Sequence, residues 1–244
     1  IDKKTGAIGE LGRNIKNSLP LGIGHTRWAT HGGVTKNNAH PHLSVGGRFA
    51  VVQNGIVENF IELKKKLQKD GYKFKTQTDT EVIVHLVHKF LKKNDLREAS
   101  RLAFLELKGR NTFVVLDHQT KTIIAVRQGS PLVVGRSKDE VLLASDTIPL
   151  LGNVPEIVYV DDNQLVEICD GKHNIYSAKS GKKVRIKVQK LEQKLEKIDK
   201  DGFPHFMIKE IFEQQYTVLE AAGYSEKELR PLVSKIKKAK KVYT

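Results

Sequence analysis

Cysteine is almost absent from this sequence, acidic residues are scarce beside basic ones, and no long apolar run occurs. One Cys in 244 residues excludes an internal disulfide framework and favours a reducing compartment. No stretch reaches the roughly 18 consecutive apolar residues that a membrane-spanning helix needs. The opening Ile1-Asp2-Lys3-Lys4 has neither an initiator Met nor the charged-then-apolar order of a secretion signal. No membrane partner is therefore expected, and the expected location is cytoplasmic. Apolar residues make up 39%, which suits a chain that buries a core without staples.

The deficit of acids leaves a net charge of +14. It is unevenly spread, with +5 in residues 1–50, +1 in 51–178 and +8 in 179–244. Lys dominates both basic ends, and interleaved aromatics that could stack bases are few there. The excess reads as a solvated basic surface, and no nucleic-acid partner is expected.

Hydrophobic periodicity predicts short strands at Gly22–Thr30 and Arg48–Gln53. It predicts helices at Asn59–Lys69, Thr80–Lys92 and Asp95–Glu106. Thr78-Asp79-Thr80-Glu81 has the form of a capping box before the second helix, and Gly109 suits a stop after the third. From Asn111 onward, seven short β-rich runs alternate with polar turns: Asn111–Leu116, Thr122–Arg127, Leu132–Gly135, Glu140–Ser145, Glu156–Val160, Gln164–Ile168 and Asn174–Ser177. Residues 1–178 thus read as one α+β domain. The polar stretch 179–205 reads as a linker. Helices are expected at Phe206–Glu220 and Ser225–Ala239, with Lys241-Val242-Tyr243-Thr244 opening a strand.

The chemistry-bearing residues fall into three clusters at element ends: Gly24 to Gly33, Gln53-Asn54-Gly55, and Asp79. Arg27 offers a planar fork that fits a carboxylate. Asp79, at a helix start, could accept from an ammonium group. Together these are what the α-carbon of a free amino acid requires. Asn54 offers an amide N–H and Gly55 an unhindered backbone N–H, the two donors of an oxyanion hole for acyl transfer. Each residue also has a plainer role open to it. Asn-Gly is a common hairpin turn, Asp79 could be a helix cap, Arg27 an ion-pair partner, and Trp28 core.

Four motifs in order support the chemical reading. They are Gly24-His25-Thr26-Arg27-Trp28-Ala29-Thr30-His31-Gly32, Asn38-Ala39-His40-Pro41-His42, Asn54-Gly55-Ile56-Val57-Glu58-Asn59 and Thr78-Asp79-Thr80-Glu81. This set resembles the glutaminase domain of the class II, N-terminal-nucleophile glutamine amidotransferases. Ser130-Pro131-Leu132 and Ser145-Asp146 fit the same domain. Phe203-Pro204-His205-Phe206 through Gln214 is similar to a linker leading to a sugar-phosphate isomerase half. The resemblance implies two stacked antiparallel sheets flanked by helices, an αββα sandwich, here without its opening strand and helix. It implies that Arg27 holds the α-carboxylate of L-glutamine and Asp79 its α-ammonium. Thr30 and His31 would line the pocket, Asn54 and Gly55 would form the oxyanion hole, and Trp28 would lie by an ammonia passage. Ammonia would pass to fructose 6-phosphate in a part outside this sequence, and the full-length enzyme would be a homo-oligomer.

The sequence departs from the family in two ways. The family nucleophile is a Cys at the mature N-terminus, whose α-amino group acts as base. Residue 1 here is Ile, and Cys169 sits in an apolar strand pattern. The stretch is therefore expected to be an internal fragment, inactive by itself. Gln53 stands where the family more often has His, and it keeps one donor and one acceptor. No cofactor and no metal are expected. His-Glu-x-x-His and Cys-x-x-Cys spacings are missing, and Gly6, Gly9 and Gly12 lack the flanking strand and helix of a dinucleotide site. Another class II amidotransferase and a non-catalytic glutamine-binding module remain the competing readings.

Overall fold

The computed structural model describes residues 1–6, 20–191, 200–223 and 225–238. Gly9, Gly12, the linker positions 192–199, the last helical residue Ala239 and the strand expected at Lys241–Thr244 lie outside them. The chain divides into two units, Ile1–Lys194 and Leu195–Thr244.

In the first unit, β1 (His42–Leu43), β2 (Phe49–Gly55), β3 (Asn111–Asp117), β4 (Thr122–Arg127), β8 (Gln164–Cys169) and β9 (Lys172–Ser177) form a six-stranded sheet in that order. A four-stranded sheet has the order β10 (Gln189–Lys190), β7 (Glu156–Tyr159), β5 (Val133–Arg136), β6 (Val141–Ala144). Every pairing is antiparallel.

Side-chain alternation sorts the residues into layers. Phe113 and Val115 of β3, Ile124 and Val126 of β4 and Leu165 of β8 share one core with α1 (Phe60–Lys69), α2 (Thr80–Leu91) and α3 (Leu96–Glu106). Their alternates, Ile123, Ala125, Val166 and Ile168, face Val134 of β5 and Val158 of β7 in a second core between the sheets. The outer face of the smaller sheet packs Val133 and Ile157 on Leu150 and Val154. Among the described residues, that face carries a single 3₁₀ turn, Ile148–Leu150.

The α+β architecture of two antiparallel sheets with helices thus follows the expectation, and the three helices of the first unit begin within a residue of their predicted starts. Four local readings are corrected. Gly22–Thr30 forms no strand, because its backbone finds no ladder partner among the described residues. The capping box at Thr78–Glu81 does not form. The Glu81 carboxylate reaches back past it and accepts from the backbone N–H of Lys75 and of Thr76, each at 2.7 Å. The third helix ends on Leu107 in extended conformation, before Gly109. Part of the expected linker is built into the sheets: Lys183 bridges Tyr176, and Gln189 and Lys190 pair with Ile157 and Glu156.

The second unit contains α4 (Phe206–Ala222) and α5 (Glu226–Lys238). Phe203 stacks on Phe212 at 5.6 Å, and Lys209 pairs with Asp201 at 2.5 Å. No described helix is long and apolar enough to cross a membrane.

Phe113 is fully buried in the strand that pairs with both β2 and β4. Phe113→Ala is expected to lower unfolding free energy by about 3–5 kcal/mol, measured as a drop in urea midpoint at unchanged slope.

Candidate active site

Sheet register positions the first cluster. β2 pairs with β3 so that Asn54 lies opposite Thr112 and Gly55 opposite Asn111. Asn54-Gly55 is therefore a strand end and not a hairpin turn. Gly55 has φ 118°, and a Cβ there would lie 1.8 Å from the Arg110 carbonyl oxygen. Only glycine fits this position. The next N–H, of Ile56, donates to that same carbonyl at 2.9 Å, which aims the chain toward α1.

The start of α2 supplies the second cluster. Asp79 is buried, and its side chain does not cap the helix. Its Oδ2 accepts from the Val57 N–H at 2.7 Å. That bond ties the segment after β2 to the helix that follows it by more than twenty residues.

The third cluster is the extended segment from His25. Arg27 donates to three successive carbonyls, His31 at 2.5 Å, Gly32 at 3.2 Å and Gly33 at 3.0 Å, and so closes the loop on itself. Gly33 N–H and the Asn38 amide both reach Gln77 Oε1, at 3.2 and 2.9 Å, which docks this loop just ahead of Asp79.

These three clusters surround one cavity of about 530 Å³. Arg27, Trp28, Thr30, Asn54, Gly55 and Asp79 all line it, so six of the seven anticipated site residues converge. His31 is the exception, with its ring edge against Phe60 at 5.0 Å. Trp28 is 90% exposed, which removes the option of a core residue. Cys169, on β8, is not among the lining residues.

The cavity wall also holds residues that spacing alone did not mark: His25, His40, Thr78, Thr80, Ser130, Pro131 and Ser145. Their signal was present in the motifs, where Asn38-Ala39-His40-Pro41-His42 and Ser130-Pro131 stood without an assigned task. His40 Nδ1 accepts from the Gln53 N–H at 3.3 Å, and its Nε2 meets Thr80 Oγ1 at 3.1 Å. Thr80 Oγ1 donates to Gln53 Oε1 at 2.5 Å, and Gln53 Nε2 donates to Asn111 Oδ1 at 2.8 Å. His42 Nε2 meets Thr78 Oγ1 at 3.1 Å. The three imidazoles form a cluster, with His25 tilted over His40 at 4.2 Å between centroids and His42 edge-on to His40 at 4.9 Å. Burial drives their basicity down, and neighbouring positive charge adds to it. His40 is pushed down to about 2 and His42 to about 4, while His25 is lowered as well. All three are neutral near pH 7.

Comparison with known proteins bears on this geometry. A family model described as a glutamine amidotransferase domain matches residues 25–152, a span containing every residue that lines the cavity. The chain belongs to the class II glutamine amidotransferases. Similar curated amidotransferases include the glutamine–fructose-6-phosphate aminotransferase (isomerizing) of Aquifex aeolicus, 44% identical over 220 residues, covering 88% of this chain and 36% of that protein. The protein of the same name from Bacteroides thetaiotaomicron is 43% identical over 218 residues, covering 87% and 36%. This chain thus spans about 36% of the length of these relatives. Among solved amidotransferase structures, the glutamine phosphoribosylpyrophosphate amidotransferase of B. subtilis aligns with a TM-score of 0.52 and 25% identity, over 63% of this chain and 34% of that one. An allosteric regulatory enzyme of purine biosynthesis aligns with a TM-score of 0.53 and 26% identity, over 65% and 35%. These neighbours share the Ntn-hydrolase sandwich.

The neutral histidine cluster has a consequence for stability. A histidine held neutral in the fold but free to protonate when unfolded makes the unfolded chain bind more protons. Stability is then complete above the ordinary value near 6.5 and is lost as pH falls below it. Urea unfolding between pH 7 and pH 5, above the carboxylate range, is expected to show a decline of about 1.4 kcal/mol per pH unit below 6.5 for each of His40 and His42. His40→Gln is expected to flatten that slope, and a pH-independent wild type contradicts the account.

Proposed function

We propose that this chain is the glutamine-hydrolysing portion of a longer, cytoplasmic, homo-oligomeric enzyme that converts fructose 6-phosphate and glutamine to glucosamine 6-phosphate and glutamate. The observation that carries this reading is the convergence of Arg27, Asn54-Gly55 and Asp79 on one cavity. The identity of about 44% to an aminotransferase of that name supports the choice of acceptor.

In this reading the Asp79 carboxylate has one oxygen engaged by Val57 and offers the other to the α-ammonium of glutamine. Arg27 takes the α-carboxylate, with Thr30 on the pocket side. The δ-carboxamide then lies at the end of β2. A cysteine thiol attacks its carbon, the oxyanion is held by the Asn54 amide and the Gly55 N–H, and the thiol's proton passes to the nitrogen so that the C–N bond breaks and ammonia leaves. Water hydrolyses the thioester to release glutamate. Cys169 does not line the cavity, so the thiol comes from outside these 244 residues. Trp28, largely exposed at the rim, suits the path along which ammonia moves to the acceptor.

The decisive assay uses the full-length protein with glutamine and fructose 6-phosphate. Glucosamine 6-phosphate is the expected product, and glutamate without it would assign another acceptor. Asp79→Asn keeps an acceptor for Val57 N–H but removes the charge. Glutamine affinity by calorimetry is expected to fall by about tenfold to a hundredfold, as for loss of a charge-assisted hydrogen bond. Undiminished affinity refutes the role given to Asp79.

A further inference from the structure

An asparagine amide that serves as an oxyanion donor has a built-in failure. Rotation of its planar end by half a turn exchanges the N–H₂ group for the carbonyl oxygen. The flipped amide presents a lone pair to the developing negative charge, so a stabilising contact becomes a repulsive one. Something must hold the amide one way round. At Asn54 the described structure has one such contact, between Oδ1 and His25 Nε2 at 2.9 Å.

Because Oδ1 can only accept, His25 must donate from Nε2. Its Nδ1 is then the bare nitrogen, and Nδ1 is buried with no partner. The opposite tautomer would set two lone pairs against each other across the 2.9 Å contact with Asn54. Packing on one face fixes the ring as well. His25 is tilted 35° over His40 at 4.2 Å, and His40 is itself held at both nitrogens, by the Gln53 N–H and by Thr80.

We propose that His25 is a positioning residue for glutamine hydrolysis: its Nε2–H holds the Asn54 amide with Nδ2 toward the cavity, and His40 holds His25. The inference rests on the glutaminase reading given above. His25 touches neither the α-carboxylate nor the α-ammonium end of glutamine in that reading. Its loss should therefore slow the chemical step and leave substrate binding intact.

The test measures glutaminase kinetics of the full-length protein. His25→Leu is expected to lower kcat by roughly ten- to a hundredfold at unchanged KM for glutamine, less than the roughly 10²–10³-fold of deleting an oxyanion donor outright. His25→Gln, which carries an N–H₂ group near the place of Nε2, is expected to restore most of the rate. The discriminating measurement is the double variant. If His25 acts through Asn54, His25→Leu has no further effect once Asn54→Ala is in place. Additive losses in the double variant, a parallel rise in KM, a Gln variant as slow as the Leu variant, or a Leu variant of full activity would each overturn the proposal. A wild-type protein that hydrolyses no glutamine overturns the proposed function itself, and is told apart because the wild type, not the variant, fails.

Discussion

Thr80 has one hydroxyl proton, and its destination fixes the direction of every hydrogen bond around it. It goes to Gln53 Oε1, so the Gln53 amide must turn its N–H₂ group to Asn111, whose own N–H₂ then reaches the Lys108 carbonyl at 2.9 Å. With its proton committed, Thr80 can only accept from His40, which places the His40 hydrogen on Nε2 and frees Nδ1 for the Gln53 N–H. Each group in the chain has one workable orientation. A reversal anywhere leaves a buried donor or acceptor unmatched, at about 1–3 kcal/mol. The helix start bearing Asp79 and the strand end bearing Asn54 are thereby held together although they are far apart in sequence. Gln53 stands at the hinge of this arrangement. A neutral imidazole in its place would also carry one donor and one acceptor, so His there would preserve the logic of the network while altering its reach.

The same economy of direction governs the charged groups. Asp79 could have capped α2, which would have turned its carboxylate inward along the helix axis. It accepts instead from Val57, and Glu81 takes the two backbone N–H groups of Lys75 and Thr76. Burial pushes Glu81 up, but the His85 ring 3.6 Å away and the hydrogen bonds from the Lys75 N–H, the Thr76 N–H and the Thr76 hydroxyl outweigh it and hold the carboxyl down to about 2. Two acidic residues two positions apart thus divide the work. One folds the approach to the helix, and the other keeps an oxygen at the cavity.

Most of the strands and helices were legible because they depend on periodicity, whereas their stacking into two sheets was expected only from the family resemblance. Alternation along β3 and β4 assigns Phe113, Val115, Ile124 and Val126 to one face and their neighbours to the other, and no knowledge of partners is needed for that. Features that depend on partners were not legible. Gly22–Thr30 has strand composition but no ladder among the described residues. Gln189 and Lys190 look like linker until β7 is beside them. The site shows the same division. Arg27, Asn54, Gly55 and Asp79 announce themselves by functional group and by position at element ends. His25, His40 and Thr80 do not, because their importance lies in hydrogen-bond direction across 27 to 40 residues of separation.

That division has a physical origin. Groups that touch a substrate are constrained by the substrate's chemistry, which acts residue by residue. Groups that orient them are constrained by geometry and by proton count, which act only once the chain is folded. In the proposed reading Arg27 belongs to both sets. Its guanidinium closes the loop over the carbonyls of His31, Gly32 and Gly33. An arriving carboxylate must compete with those carbonyls for the same N–H groups, so engagement at Arg27 and rearrangement of the 31–33 loop are coupled in energy. Among the described residues, Asn54 faces no such competition for Nδ2, because its contact with His25 uses only the oxygen. In the proposed reading, the oxyanion end of the cavity is therefore pre-set by the fold, whereas the carboxylate end is adjustable. A rigid end where charge develops and a yielding end where the substrate is gripped is the arrangement that favours the transition state over the ground state.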